Sequence, residues 1–175
     1  MTIEKNRGVV VRSVSADEIA SLFEMRYIVE GAAVKAATNA RSADLIKRLE
    51  ELLEDMTGAL ETADEVGFLR ADRAWHEAIL DVLGNPWVHR QIQQLRYATP
   101  PSADQTTPRL QRLEEILAEH DAIEHALQAA DVTDADYAVR AHLVATARSL
   151  LGPSALESRP SEWPLTTWTS FTQDS

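Results

Sequence analysis

Apolar residues recur at three- and four-residue spacing along most of this chain, and short clusters of helix-starting residues break the pattern at intervals. That periodicity is the signature of amphipathic α-helices. Ser15-Ala-Asp-Glu18 reads as a capping box, in which a hydroxyl accepts from one orphan N–H and Glu18 reaches back to another. Thr62-Ala-Asp-Glu65 repeats the device, and Ser42, Asn85, Thr107 and Thr133 are further N-cap candidates. Pro86 and Pro108 fall at first helical positions, where a missing N–H costs nothing. These signals predict six helices, near 16–39, 43–60, 63–83, 86–98, 108–130 and 134–151, with Gly152-Pro153 ending the last. Gly8–Ser13 (GVVVRS) reads as a strand too short to make a sheet alone. Residues 99–106 read as a loop. Residues 152–175, rich in Ser, Thr and Pro, show no period and are expected to form a largely disordered tail. The expected architecture is an all-α antiparallel helical bundle over residues 15–151.

Composition narrows the function. The formal net charge of -11 opposes a duplex-binding surface, which needs Lys and Arg to neutralise phosphates. With 45% hydrophobic and 26% charged residues the chain belongs to the soluble globular class. No apolar run approaches the roughly 20 residues of a membrane helix, and nothing at the amino terminus resembles a signal peptide. There are no cysteines, so disulfides and thiolate metal sites are excluded. A cytoplasmic location is the expectation.

Several helical stripes carry polar residues where the core should lie. In the third helix Phe68, Asp72, Trp75, His76, Ile79 and Leu83 keep the inward spacing, and Leu69 is expected to join that face. In the fifth, Leu113, Ile116, Leu117, His120, Ile123 and Leu127 do the same, and in the sixth Ala135, Ala138, Val139, His142 and Ala145. Burying three histidines and an aspartate unpaired is costly, and a shared cation offsets that cost for all four. His120 lies about 11 residues before the turn between the last two helices and His142 about 9 after it, so both stand roughly 15 Å from the turn on adjacent antiparallel helices. Asp72 and His76 project together as an i, i+4 pair. Three imidazoles and one carboxylate suit Zn, Ni, Co, Mn or Fe and leave coordination positions open. The alternative is that each histidine is a hydrogen-bonded core residue. His89 and His125 fall beside their stripes and read as surface residues.

The first helix holds a second anomaly, since Arg26 and Glu30 keep step with Ile19, Leu22, Phe23, Ala33 and Ala37. They read either as an internal i, i+4 ion pair or, for Arg26, as a planar fork that binds a carboxylate.

Taken in order, Glu24-Met-Arg26 with Glu30, Asp72-Arg-Ala-Trp-His76, Gly84-Asn85, Glu119-His120, Ala126-Leu127 with Asp131, and His142-Leu143 resemble the FCD effector domain of FadR-subfamily GntR transcriptional regulators. The resemblance runs from about residue 15 to residue 151, and its most specific feature is the ordered set with His142 falling 22 positions after His120. It implies an all-helical bundle that dimerises. It also implies a divalent metal on Asp72, His76, His120 and His142, and a small carboxylate effector sensed near the metal with Arg26 in its pocket. Trp75 stands where the family usually has Phe. The family places a winged helix-turn-helix domain ahead of the bundle. Here only Asn6–Ser15 resembles its end, the last wing strand and linker, and the recognition helix is absent. The sequence is therefore read either as a fragment or mis-started frame, or as a regulator without its DNA reader. DNA binding belongs to that missing domain.

Two other functions are weighed against a metal-dependent sensor. One is a metal-dependent hydrolase, since an open divalent site activates water. His76-Glu-Ala-Ile-Leu80 is not a His-Glu-x-x-His motif, however, and Glu77 and Glu119 are expected to point away from the ligands, so the chain is read as a non-enzyme. The other is a metal-free structural dimerisation bundle.

Overall fold

The computed structural model describes residues 15–98 and 109–157. The chain forms α1 (Ala16–Ala40), α2 (Ala43–Glu61), α3 (Glu65–Asp81), α4 (Pro86–Ala98), α5 (Arg109–Gln128) and α6 (Val132–Glu157), with no strand among the described residues. This is the all-α bundle the periodicity predicts. The strand-like segment Gly8–Ser13, the loop 99–106, Thr107 and the tail beyond Glu157 lie outside the described residues.

Local chemistry sets most of the boundaries. Ser15 and Glu18 form the expected reciprocal cap, Ser15 Oγ accepting from Glu18 N at 3.2 Å and Glu18 Oε2 accepting from Ser15 N at 2.9 Å. Ser42 caps α2, and Asn85 Oδ1 accepts from Trp87 N at 3.0 Å and Val88 N at 3.3 Å to cap α4. Gly84 enters that cap with φ 58°, a left-handed conformation a side chain would resist.

Three boundaries differ from the sequence expectation. Thr62 does not start α3; its hydroxyl donates back to Gly58 O at 2.9 Å, Ala63 turns the chain with φ 53°, and Asp64 caps α3 by accepting from Gly67 N at 2.9 Å. Asp131, rather than Thr133, caps α6, taking the N–H groups of Thr133 at 3.1 Å and Asp134 at 2.9 Å. In both cases an Asp two residues from the hydroxyl competes for the cap and supplies a charged acceptor at the positive helix end. The third concerns the end of α6, which continues through Gly152-Pro153 to Glu157. A proline removes one intrahelical hydrogen bond and strains one turn. The stop rule weighs only that local cost, and α6 is already held by its long contact with α1.

α6 packs along α1 and beside α5, while α2 packs on α3 and α5, and α3 also reaches α1. α4 lies against α3 and α1. The larger core cluster includes Val34, Leu49, Met56, Phe68, Trp75, Ile123, Leu127 and Val139. A smaller one joins Ile19 and Phe23 of α1 to Leu143, Ala147 and Leu150 of α6. Leu69 is 41% exposed, because Phe68 takes the inward position and the next residue turns about 100° away. Between the two clusters, in sequence order along both α1 and α6, lie Arg26, Glu30 and His142, all buried. A polar layer therefore divides the core.

The cap on α6 is testable. Replacing Asp131 by Ala lowers unfolding free energy by about 1 kcal/mol in denaturant titration. Thr133→Ala, at an exposed helical position, changes it by less than about 0.5 kcal/mol.

Candidate metal centre

The polar layer contains the four residues singled out by their stripes. α3 supplies Asp72 and His76, α5 supplies His120 and α6 supplies His142. One ligand atom from each lies within 4.8 Å of all the others. His120 Nε2 stands 3.2 Å from His76 Nε2 and 3.3 Å from Asp72 Oδ1, and His76 Nε2 is 3.7 Å from the same carboxylate oxygen. The imidazole rings of His76, His120 and His142 pack on one another with centroids 4.7–5.2 Å apart. Trp75 closes the group from α3, edge-on to His120 at 4.6 Å.

The outer face of each ring decides its chemistry. His76 Nδ1 lies 2.7 Å from Glu30 Oε2, His120 Nδ1 lies 2.8 Å from the Ile116 carbonyl, and His142 Nδ1 lies 2.7 Å from Glu119 Oε2. An oxygen acceptor at each Nδ1 places the ring proton there, which leaves each Nε2 as a lone pair. Three such lone pairs and a carboxylate oxygen meet with no proton among them. A cation about 2.0–2.1 Å from each nitrogen would separate neighbouring donors by about 2.9 Å at right angles or 3.4 Å at tetrahedral angles. The distances of 3.2 and 3.3 Å fall in that span and 3.7 Å just outside it. The donor set is of a kind that could hold a divalent ion, and the spacing among Asp72, His76 and His120 comes close to what such an ion needs.

Charged partners surround this set. Arg96 of α4 donates Nη2 to Asp72 Oδ2 at 2.6 Å. Arg26 donates Nε to Glu30 Oε1 at 2.7 Å, so the ion pair in α1 is formed, and it braces the carboxylate behind His76. Arg112 of α5 donates to Glu119 at 2.9 Å and to the Thr146 hydroxyl at 3.2 Å. Burial works against charge on His76 and His142 and lowers both below the ordinary imidazole range, Arg96 adding to it at His76. Burial would raise the carboxyl of Asp72, but the Arg96 guanidinium beside it outweighs that and holds the group well below its usual range. Glu30 is held low against the same burial penalty by Arg26 and His76.

Sequence patterning found the four converging residues, and it missed what orients them. Glu119 was expected to face away, yet it bonds His142 across the α5–α6 interface, because a side chain one step off the inward stripe still reaches the neighbouring helix. Arg96 and Arg112 carried no signal, as each looks like a surface base on an amphipathic helix. The Ile116 carbonyl was in principle legible, since it lies one turn before His120. Glu77 does face away, accepting from Gln93 at 2.9 Å. His89 pairs with Asp81 at 2.7 Å and His125 is exposed, both apart from the centre.

The structure thus defines an all-α bundle with one aspartate and three histidines gathered in a buried polar layer. The chain belongs to the FCD domain family, which it matches over residues 21–145. No curated protein matches it. Among solved structures, McbR/YncC from E. coli is similar with a TM-score of 0.69 at 22% identity, over 78% of this chain and 65% of that one. Lar, which controls expression of the agr system in Listeria monocytogenes and mediates virulence, has a TM-score of 0.69 at 15% identity, over 83% and 66%. A GntR transcriptional regulator from Rhodococcus sp. RHA1 has a TM-score of 0.63 at 22% identity, over 90% and 72%. This chain thus spans about two thirds of the first two, and the likeness extends to the fold.

The depressed imidazoles set a pH dependence for the metal-free chain. Unfolded histidines take up protons below about pH 6.5, while buried His76 and His142 resist doing so. The unfolded state then binds more protons, so stability falls as pH falls below that value. Asp72 and Glu30 continue the loss at more acidic pH, because their folded carboxyls stay ionised where unfolded ones protonate. The Tm of chelator-treated protein is expected to drop between about pH 7.5 and 5.5, as followed by circular dichroism.

Proposed function

We propose that this chain is the effector-sensing and dimerisation part of a bacterial GntR-type regulator of the FadR subfamily. A divalent transition metal on Asp72, His76, His120 and His142 would bind a small organic acid. The observation that carries this reading is the convergence of three Nε2 lone pairs and one carboxylate oxygen, each ring locked from behind by an oxygen acceptor. Zn, Ni, Co, Mn and Fe all suit this donor set. The ion, when bound, supplies positive charge and open positions for a carboxylate oxygen.

The chain's own residues do the remaining work. Glu30, the Ile116 carbonyl and Glu119 fix the imidazole orientations and raise their basicity. Arg96 holds the distal oxygen of Asp72. Arg26 spends its Nε on Glu30, and its terminal nitrogens form the part of the fork that would take an effector carboxylate. The ligand groups come from α3, α5 and α6 and Arg26 from α1, so an acid bound among them would favour one arrangement of four helices over another. In a complete cytoplasmic regulator, a homodimer, that shift would change the spacing of two winged helix-turn-helix domains on DNA. The acidic chain described here would touch DNA only through such domains.

Binding fits the site better than catalysis. The carboxylates near the ligands are engaged, Glu30 by Arg26 and His76, Glu119 by His142 and Arg112.

Elemental analysis tests the reading. Protein purified without chelator is expected to carry about one equivalent of metal, and stripping it lowers the Tm, since metal affinity becomes folding energy. His142→Ala should lose the ion. Glu119→Gln should keep it with an affinity about 10- to 100-fold weaker. A stripped protein whose Tm ignores all five ions would leave a metal-free structural bundle. Arg26→Ala is expected to retain metal and to weaken acid binding about tenfold by calorimetry; unchanged affinity for every acid tested would confine Arg26 to its ion pair.

A further inference from the structure

Three of the four ligand residues are sealed, with His76, His120 and His142 only 2%, 0% and 3% exposed. The Asp72 side chain keeps 16%, so the centre meets solvent at Asp72. Arg96 stands at that edge. Its Nη2 is used by Asp72, but its Nη1 is buried without a hydrogen-bond partner. Glu30 Oε2 lies 4.0 Å from it, outside hydrogen-bond range. A buried guanidinium N–H left without an acceptor is a costly arrangement unless something else supplies one.

Charge leads to the same edge. The ion-paired groups around the neutral imidazoles are Arg26, Arg96 and Arg112 against Glu30, Asp72 and Glu119, three against three. Glu115 also touches Arg112, but it is half exposed and screened by water. The layer is balanced before any cation enters. Glu124, buried one turn beyond His120, lies outside these pairs, and burial pushes its carboxyl up, toward the neutral form. A divalent ion therefore adds two positive charges that the paired groups do not cancel, in surroundings where uncompensated charge is expensive.

We propose that the ligand of this centre is a compact dicarboxylate, with one carboxylate at the cation's open side next to Asp72 and the other accepting from Arg96 Nη1. The inference rests on the metal-dependent reading above and narrows its ligand to dianions held at two points. A monocarboxylate leaves one charge uncancelled and Nη1 unmet. Inorganic phosphate cancels the charge but carries it on a single group, which cannot serve both points. Arg96 is thus a specificity residue, and its planar fork lets one edge keep Asp72 while the other takes the ligand.

The test uses the full chain loaded with Zn(II), its metal content measured, and titrated by calorimetry with succinate and malate against butyrate, lactate and inorganic phosphate. The diacids are expected to bind at least about tenfold tighter than the matched monoacids and than phosphate. That preference should shrink to about twofold or less in Arg96→Gln and disappear in chelated wild-type protein. Equal binding of mono- and diacids by the Zn(II)-loaded wild type would overturn the two-point ligand and leave acid sensing intact. A preference that survives in Arg96→Gln would remove Arg96, and phosphate binding as tightly as succinate would remove the second point. If Zn(II) is retained and no acid binds, or if Zn(II) is not retained, the sensor reading falls as well, and the metal assay tells these cases apart. Should Arg96→Gln fail to fold, the wild-type comparison still decides the ligand class.

Discussion

Everything at the centre of this bundle depends on a proton's position in three imidazole rings. Glu30, the Ile116 carbonyl and Glu119 each present an oxygen to an Nδ1, and each thereby turns an Nε2 lone pair inward. Rotate or remove one of those acceptors and the ring is free to take the other tautomer, which would put an N–H where a donor atom is needed. The inward imidazoles could serve as ligands because of what stands behind them.

That arrangement has a cost in packing. Arg26, Glu30, His76, His120 and His142 occupy core positions where apolar side chains would contribute burial energy. The layer splits what would otherwise be a continuous seam between α1 and α6 into two clusters. It is tolerable because its charges come in matched pairs and its polar contacts run between helices, from α1 to α3, α3 to α4 and α5 to α6. The same contacts tie five helices to one site, so any group that binds there would act on all of them together. A core of leucines in its place would add burial energy.

The FCD family match and the solved regulator structures place this layer in a shared fold. Trp75 completes the layer on the α3 side. Its ring is fully buried and stands edge-on to both His76 and His120, so it walls the site on the α3 side with a larger surface than a phenyl ring offers.

The helices, most of their starts, and the inward placement of Asp72, His76, His120 and His142 follow from the sequence alone, because periodicity and capping act within a turn or two of chain. The i, i+4 relation of Asp72 to His76, and of Arg26 to Glu30, belongs to the same class. Tertiary structure decided the rest. Glu119 meets His142 across 23 residues of sequence, Arg96 meets Asp72 across 24, and His120 meets His76 across 44, and no local rule says which helices will lie side by side. It also decided between Thr62 and Asp64, and between Thr133 and Asp131, where two good caps compete within one turn, and it carried α6 past Gly152-Pro153. Local signals weigh the energy of a few residues; partners distant in the chain are chosen by how whole helix faces pack.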